Sequence, residues 1–292
     1  MKKKAFSLVE LSIVILVIGL LVAGVTQGSK LLRKFNLVAA QNKSKKSPVN
    51  IIKGLTVWLD ATSASSLDLA NLSDGDSISN WNDVTPIKTS NQKINLVDAG
   101  NKPVLDVSGI NGLPSIYFND SSGSQHLQRL NTKGNEIFSQ DEITMFLVQK
   151  YIGGSAAFNV LWHPEAGGNT RFSIHALWWR DRSVYFDFSN ICCSNGRIST
   201  SAYNSQIAEK EVILTFHKKG NNAYVNLNGS TIVQSINKPG KITSQAAGPF
   251  RVGVNMIGYI GELIIFKKGL SAGEVSKIEK YLSDKWGIAL SN

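Results

Sequence analysis

One acid, Glu10, interrupts an apolar run that extends from Phe6 to Val25 behind three lysines, Lys2, Lys3 and Lys4. A carboxylate at that depth is costly in hydrocarbon, so it implies a function and a cationic partner that neutralises it. The only two cysteines, Cys192 and Cys193, are adjacent. In an oxidising compartment they are expected to close a vicinal disulfide that stiffens the loop from Asn190 to Arg197. Such a ring is strained, because neighbouring Cα atoms sit about 3.8 Å apart whereas bridges prefer about 4.4–6.8 Å. Two free thiols are the alternative, and no matching Cys or His pair points to a metal.

Trp162, Trp178, Trp179, Tyr185, Phe186 and Phe188 cluster in the same third of the chain. Indole faces stack on the C–H surface of sugars while polar neighbours fix the hydroxyls. On a strand, Trp178 and Trp179 point to opposite faces, so one belongs to the core. The other, with Arg180, Arg197 and His163, is the candidate ligand-binding set, and Phe186 and Phe188 are expected to fill the interior.

Catalysis has less to stand on. Retaining glycan hydrolysis needs two carboxyl groups about 5–5.5 Å apart, and no Glu-x-Asp-x-x-Glu run occurs. Glu209 and Glu211 flank Lys210 as a solvated strand edge, and His126, His163, His175 and His217 are scattered. Asp74 and Asp76 could offer calcium a turn, but they supply too few oxygens, so a plain polar turn is expected. The expectation is a binding protein without catalytic residues, metal or other cofactor.

With 292 residues and 42% hydrophobic content, the chain accommodates one membrane helix and one large domain. No Pro interrupts residues 6–40, and Leu31, Leu32, Phe35 and Val38 keep a helical spacing past the apolar span. Residues 41–53, polar and ending around Pro48, have the composition of a basic linker. The formal net charge is +10, and the basic residues from Lys30 to Lys46 could meet anionic lipid, DNA or an acidic partner. A solvated linker is favoured over a nucleic-acid site. Lys30, Arg33 and Lys34 balance the leading lysines, so charge alone does not orient the span.

Beyond Gly54 the pattern changes to short β-rich runs punctuated by Gly, Asn, Ser and Pro, which predicts a mainly β sandwich. Predicted strands are Leu55–Asp60, Pro103–Val107, Ser115–Phe118, Ile143–Tyr151, Val160–His163, Arg171–Arg180, Ser183–Phe188, Glu211–His217, Ala223–Asn226, Thr231–Ser235, Phe250–Val254 and Tyr259–Phe266. Asn228-Gly229 is the strongest hairpin signal, since a type I′ turn needs positive φ at both central residues. Asp181-Arg182 predicts a second. Ser271 and Glu274 fit a capping box, and Val275, Ile278, Leu282 and Trp286 share one face of a closing helix stopped at Gly287.

Two resemblances follow from these residues. Lys4-Ala5-Phe6-Ser7-Leu8-Val9-Glu10 resembles the class III leader of type IV prepilins. That resemblance implies a leader of residues 1–5, cleavage by a prepilin peptidase after Ala5, methylation of the new Phe6 amine, and an assembly and membrane helix over 6–40. It also implies that Glu10 neutralises the Phe6 amine of a neighbouring pilin-like subunit. Ala5 replaces the usual Gly, and no helix-bending Pro follows the span, which leans towards a minor subunit or pseudopilin.

The second covers residues 54–289. Leu55 to Asp60, Asp76 to Asp83, Lys102-Pro103, Ile110 to Phe118, Gly258 to Phe266 and Lys280 to Gly287 resemble a concanavalin A-like, laminin G-like jelly roll. It implies two antiparallel sheets and a face that binds glycans or surface proteins. Together they imply a single-pass inner-membrane precursor with its C-terminal domain outside the cytoplasm, later in an extracellular filament or periplasmic pseudopilus. A membrane-anchored lectin or adhesin outside any filament is the alternative, followed by a glycan-active enzyme.

Overall fold

The computed structural model describes residues 8–86, 88, 92–119, 124–139, 141–153, 159–164, 171–177, 181–188, 195–242 and 247–291. The apolar N-terminal segment forms one helix, α1 (Leu8–Lys45). It is long and apolar enough to cross a membrane, and its window of highest hydropathy is unburied. The break expected at Gln41 does not occur. The helix continues to Lys45, and a 3-10 turn at Pro48–Asn50 follows. The reason is tertiary: Ala40, Ser44, Ser47 and Val49 are buried against the domain, so polar residues that look like linker form the docked end of a helix.

The strands, in chain order, are β1 (Leu55–Asp60), β2 (Asn80–Trp81), β3 (Leu96–Asp98), β4 (Val104–Ile110), β5 (Leu113–Asn119), β6 (Leu127–Lys133), β7 (Glu142–Gly153), β8 (Asn159–Pro164), β9 (Arg171–Ala176), β10 (Val184–Asp187), β11 (Arg197–Thr200), β12 (Glu211–Lys219), β13 (Asn222–Leu227), β14 (Ser230–Ser235), β15 (Ala247–Val254) and β16 (Ile257–Phe266). Single helical turns, α2 (Gly134–Ile137) and α3 (Asn204–Ile207), interrupt them, and α4 (Ala272–Trp286) closes the domain. One sheet runs β14-β13-β12-β7-β16-β5-β4, with β1 also on β16; the other runs β11-β10-β9-β8-β15-β6-β3-β2. Every ladder is antiparallel. The mainly β sandwich with a helix at each end of the chain is as expected.

The core lies between the sheets, where Leu147, Phe216 and Leu263 of the first meet Leu161, Phe172, Phe186 and Phe250 of the second. The first sheet is buried on both faces. Its outer side carries Trp58, Phe146, Val148, Ile213 and Ile264, which pack against Val275, Ile278, Leu282 and Trp286 of α4. Strands buried on both faces lose apolar–polar alternation, which is why Glu262 stands out as the one acid between Tyr259 and Phe266. Gly261 lets β16 meet α4 closely: a Cβ there would stand 2.5 Å from the Trp286 ring.

The local signals hold in detail. Ser271 Oγ accepts the Glu274 N–H at 3.3 Å while Glu274 Oε2 accepts the Ser271 N–H at 2.8 Å. Gly287 ends α4 in the left-handed conformation, and Asn228 and Gly229 turn the β13–β14 hairpin with φ of 47° and 85°.

On the outer face of the first sheet, His217 stacks on Tyr224 at 4.4 Å between centroids, and its Nδ1 lies 3.1 Å from Thr144 Oγ1. The Thr144 hydroxyl gives its one proton to the Lys268 carbonyl, so Nδ1–H must donate to Thr144. Burial, helped by Lys219 and opposed by Glu142, pushes His217 down from 6.5 to about 4. The unfolded chain therefore binds this proton first. Stability is full above pH 6.5 and falls as pH drops towards 4, by up to about 3 kcal/mol from this group. His217→Phe keeps the stack and removes the titration. Urea unfolding at a series of pH values should show a shallower acid slope for the variant.

Candidate recognition face and helix anchor

The end of α1 is held to the sandwich by a buried ionic cluster. Lys285 Nζ of α4 lies 2.8 Å from Asp60 Oδ1 of β1 and 2.7 Å from Glu262 Oε2 of β16, and all three side chains are fully buried. Further donors serve the two carboxylates. Trp58 Nε1 (2.7 Å) and the Tyr281 hydroxyl (2.9 Å) donate to Glu262 Oε1, and Trp286 Nε1 donates to Oε2 at 2.8 Å. Asp60 accepts from the Thr62 N–H and hydroxyl, and Ser44 Oγ, from α1, donates to Asp60 Oδ2 at 2.8 Å. Gln41 Nε2 adds a bond to the Thr62 carbonyl. Burial pushes the Glu262 carboxyl up, against the pull of Lys285, and burial beside Glu262 pushes the Tyr281 hydroxyl well up. Four donors on Glu262, two of them indole N–H groups that cannot accept, fit the ionised form.

The outer face of the second sheet carries no helix among the described residues. The register lines one row across it: Arg197, Asp187, Ser173, Trp162, Arg251 and Gln128 on β11, β10, β9, β8, β15 and β6. Alternation explains the row, since Phe172, Ile174, Phe186, Ile198, Phe250 and Val252 on the same strands face the core. Arg197 forks onto Asp187, with Nη2 at 2.8 Å from Oδ2 and Nε on Oδ1, and Ser173 Oγ donates to Oδ2 at 3.2 Å. The Arg197 guanidinium also lies 4.5 Å over the Tyr185 ring, which meets His175 edge-on. Bonding to Asp187 raises the Arg197 guanidinium above its ordinary value. Arg251 differs. Its Nε is buried and has no hydrogen-bond partner, and no carboxylate among the described residues pairs with it. Four strand spacings, about 19 Å, separate this guanidinium from the neutralised one at Arg197. Such a row can take an acidic group on Arg251 and a hydroxyl on Gln128, whereas Ser173 is fully buried and serves Asp187.

Of the residues singled out by sequence, Arg197 stands in this row. His163 lies in β8 across from core Phe172, one residue out of phase with the row. Ala5, Phe6, Trp178, Trp179, Arg180, Cys192 and Cys193 lie outside the described residues. Glu10 sits in the first turn of α1. Asp76 Oδ2 accepts the Ser73 N–H within the turn at 2.7 Å and Asp74 Oδ1 accepts the Val107 N–H of β4 at 3.1 Å, so both carboxylates are bonded to backbone. Among the described residues no group of three or more His, Cys, Asp or Glu is placed to hold a metal ion. Glu211 is paired with Lys150 at 2.8 Å. Sequence reasoning missed Asp187, Ser173, His175, Arg251 and Gln128. For Asp187, Ser173, His175 and Arg251 the available signal was parity, since each lies between core residues on a strand; Gln128, between Leu127 and Arg129, carried none.

No protein-family model and no curated protein sequence matches this chain. Among solved structures it is similar to botulinum neurotoxin type C, studied for the dependence of its cell entry on two ganglioside molecules (TM-score 0.54, 13% identity, 80% of this chain and 52% of that one). The likeness is one of fold. It extends to the binding domain of botulinum neurotoxin DC in complex with SialylT (TM-score 0.52, 13% identity, 78% and 51% covered). The same binding domain in complex with rat synaptotagmin II gives 0.52, with 14% identity and 79% and 51% covered. The chain spans about half the length of the toxin chains it matches, so their ligands belong to larger molecules.

Proposed function

We propose that this chain is a pilin-like minor subunit or pseudopilin whose helix anchors it in a membrane and a filament, and whose sandwich recognises a glycan or surface protein. One observation carries the reading. Residues of α1 from Leu8 to Val38 expose their apolar side chains, including Leu31, Leu32 and Phe35 beyond a membrane span, while the last turns are locked to the sandwich through Ser44 and Gln41. A tethered lectin needs only a flexible linker; a subunit of a helical assembly needs helix and domain to move as one body. The leader-like residues Lys4 to Glu10 support the same reading. On this reading a prepilin peptidase and other pilin-like subunits are the partners, and the precursor resides in the inner membrane with its sandwich outside the cytoplasm.

Mass spectrometry of the mature chain tests processing. The expected N-terminus is N-methyl-Phe6, and an intact Met1 or a cut beyond Gly28 overturns the proposal.

For recognition, Arg251, which no described carboxylate pairs, selects acidic over neutral glycans. Arg251→Ala should weaken binding to sulfated or sialylated glycans on an array by about tenfold or more, the worth of a charge-assisted hydrogen bond, with the melting temperature unchanged. Arg197→Ala should instead lower the melting temperature, because it removes the two-pronged guanidinium contact from the buried Asp187. Equal array signals for wild type and Arg251→Ala would remove the face from the proposal.

A further inference from the structure

Glu279 of α4 is a buried carboxylate with no described cation beside it. It is 4% exposed and accepts from Thr215 Oγ1 at 2.7 Å and Asn226 Nδ2 at 3.0 Å, both at Oε1. Thr231 Oγ1 holds the other end of the Asn226 amide at 2.9 Å, which fixes its orientation. No described residue donates to Oε2, and no described Lys or Arg lies within ion-pair distance. A carboxylate withdrawn from water without a counter-charge is costly, and such a group is explained when a ligand supplies the charge.

A cavity of about 460 Å³ opens on this carboxylate between the β13–β14 hairpin and α4. Tyr224, Asn226, Thr231, Gln234, Ser276 and Ser291 line it, and no basic residue does. The register explains the lining. Asn226 faces Thr231 and Tyr224 faces Gln234 on the outer side of the sheet, where α4 stops covering it. Gly229 forms one wall, where a Cβ would meet Leu290 at 3.6 Å and Oε2 at 3.9 Å, ordinary contact distances. Burial and the Glu279 charge push the Tyr224 hydroxyl up to about 12, so it stays a neutral hydrogen-bonding group.

We propose that this cavity binds a small polyhydroxylated amine, with its ammonium group on Glu279 Oε2 and its hydroxyls on Gln234, Thr231 and Tyr224. Hard metal cations require six or more oxygens and usually several charges, whereas one free carboxylate oxygen amid neutral groups matches one ammonium. The site is separate from the Arg251 face and does not depend on the filament reading.

Calorimetric titration of the detergent-solubilised full chain tests it, with glucosamine, N-acetylglucosamine and calcium chloride as probes. Glucosamine should bind saturably with a Kd of about 1 mM or tighter, and the other two should not bind. Glu279→Gln should weaken glucosamine by at least about tenfold. Ser276→Trp, on the exposed rim, leaves the Glu279 hydrogen bonds in place and should block binding at an unchanged melting temperature. No glucosamine binding, equal binding of N-acetylglucosamine, or full affinity in Glu279→Gln overturns the proposal. Calcium binding lost in Glu279→Gln would overturn it in favour of a metal.

Discussion

Lys285→Met is expected to destabilise the chain by about 3–5 kcal/mol, a large part of the about 5–15 kcal/mol that holds a typical domain folded. The substitution keeps most of the side-chain volume and removes the single ammonium between Asp60 and Glu262, leaving two carboxylates buried side by side. The effect should reach α1 as well, because Asp60 is the acceptor for Ser44. Limited proteolysis near Lys45 and Lys46 should therefore speed up along with unfolding. Adding Glu262→Leu should return part of the loss, since one stranded charge goes with it and the pair shares one network. Urea unfolding of the wild type and the two variants measures this. A loss below about 1 kcal/mol for Lys285→Met would mean that water reaches the cluster and screens it.

Glu10→Ala is expected to insert in the membrane at least as well as wild type and yet to be lost from any filament or pseudopilus. Removing a carboxylate from an apolar helix lowers the cost of insertion. On the proposed reading it also leaves the amine of a neighbouring Phe6 without its counter-charge in hydrocarbon, where truncating one member of a desolvated pair is costly. Incorporation should fall by more than about tenfold at equal membrane content, measured by immunoblot of sheared filaments against membranes. Glu10→Asp, which keeps the charge on a shorter stem, should retain part of it. Normal incorporation of Glu10→Ala would leave the helix as an anchor, and the chain as a membrane-bound adhesin outside any filament.

What neighbouring residues decide was legible in the sequence. The Asn228-Gly229 turn, the Ser271 and Glu274 capping box and the Gly287 stop depend on φ and on hydrogen bonds within a few residues, and each stands where the pattern put it. Apolar strands such as β1, β7, β12 and β16 were equally plain, because a buried strand must be written in Val, Ile, Leu and Phe. Strands β2, β3, β6 and β11 gave no such signal: they are short or rich in Asn, Gln, Arg and Lys, and they become strands because a neighbour offers a ladder. The residues from Gln41 to Lys45 read as linker for a related reason, since their helix ends on polar acceptors, Thr62 and Asp60, supplied by a distant part of the chain. Only the tertiary structure could show that Asp60, Glu262 and Lys285 neutralise one another, that Arg197 is spent on Asp187 while Arg251 is not, and that Glu279 faces a cavity. Charge compensation depends on which strands and helices lie side by side, and register and packing set that, not spacing along the chain.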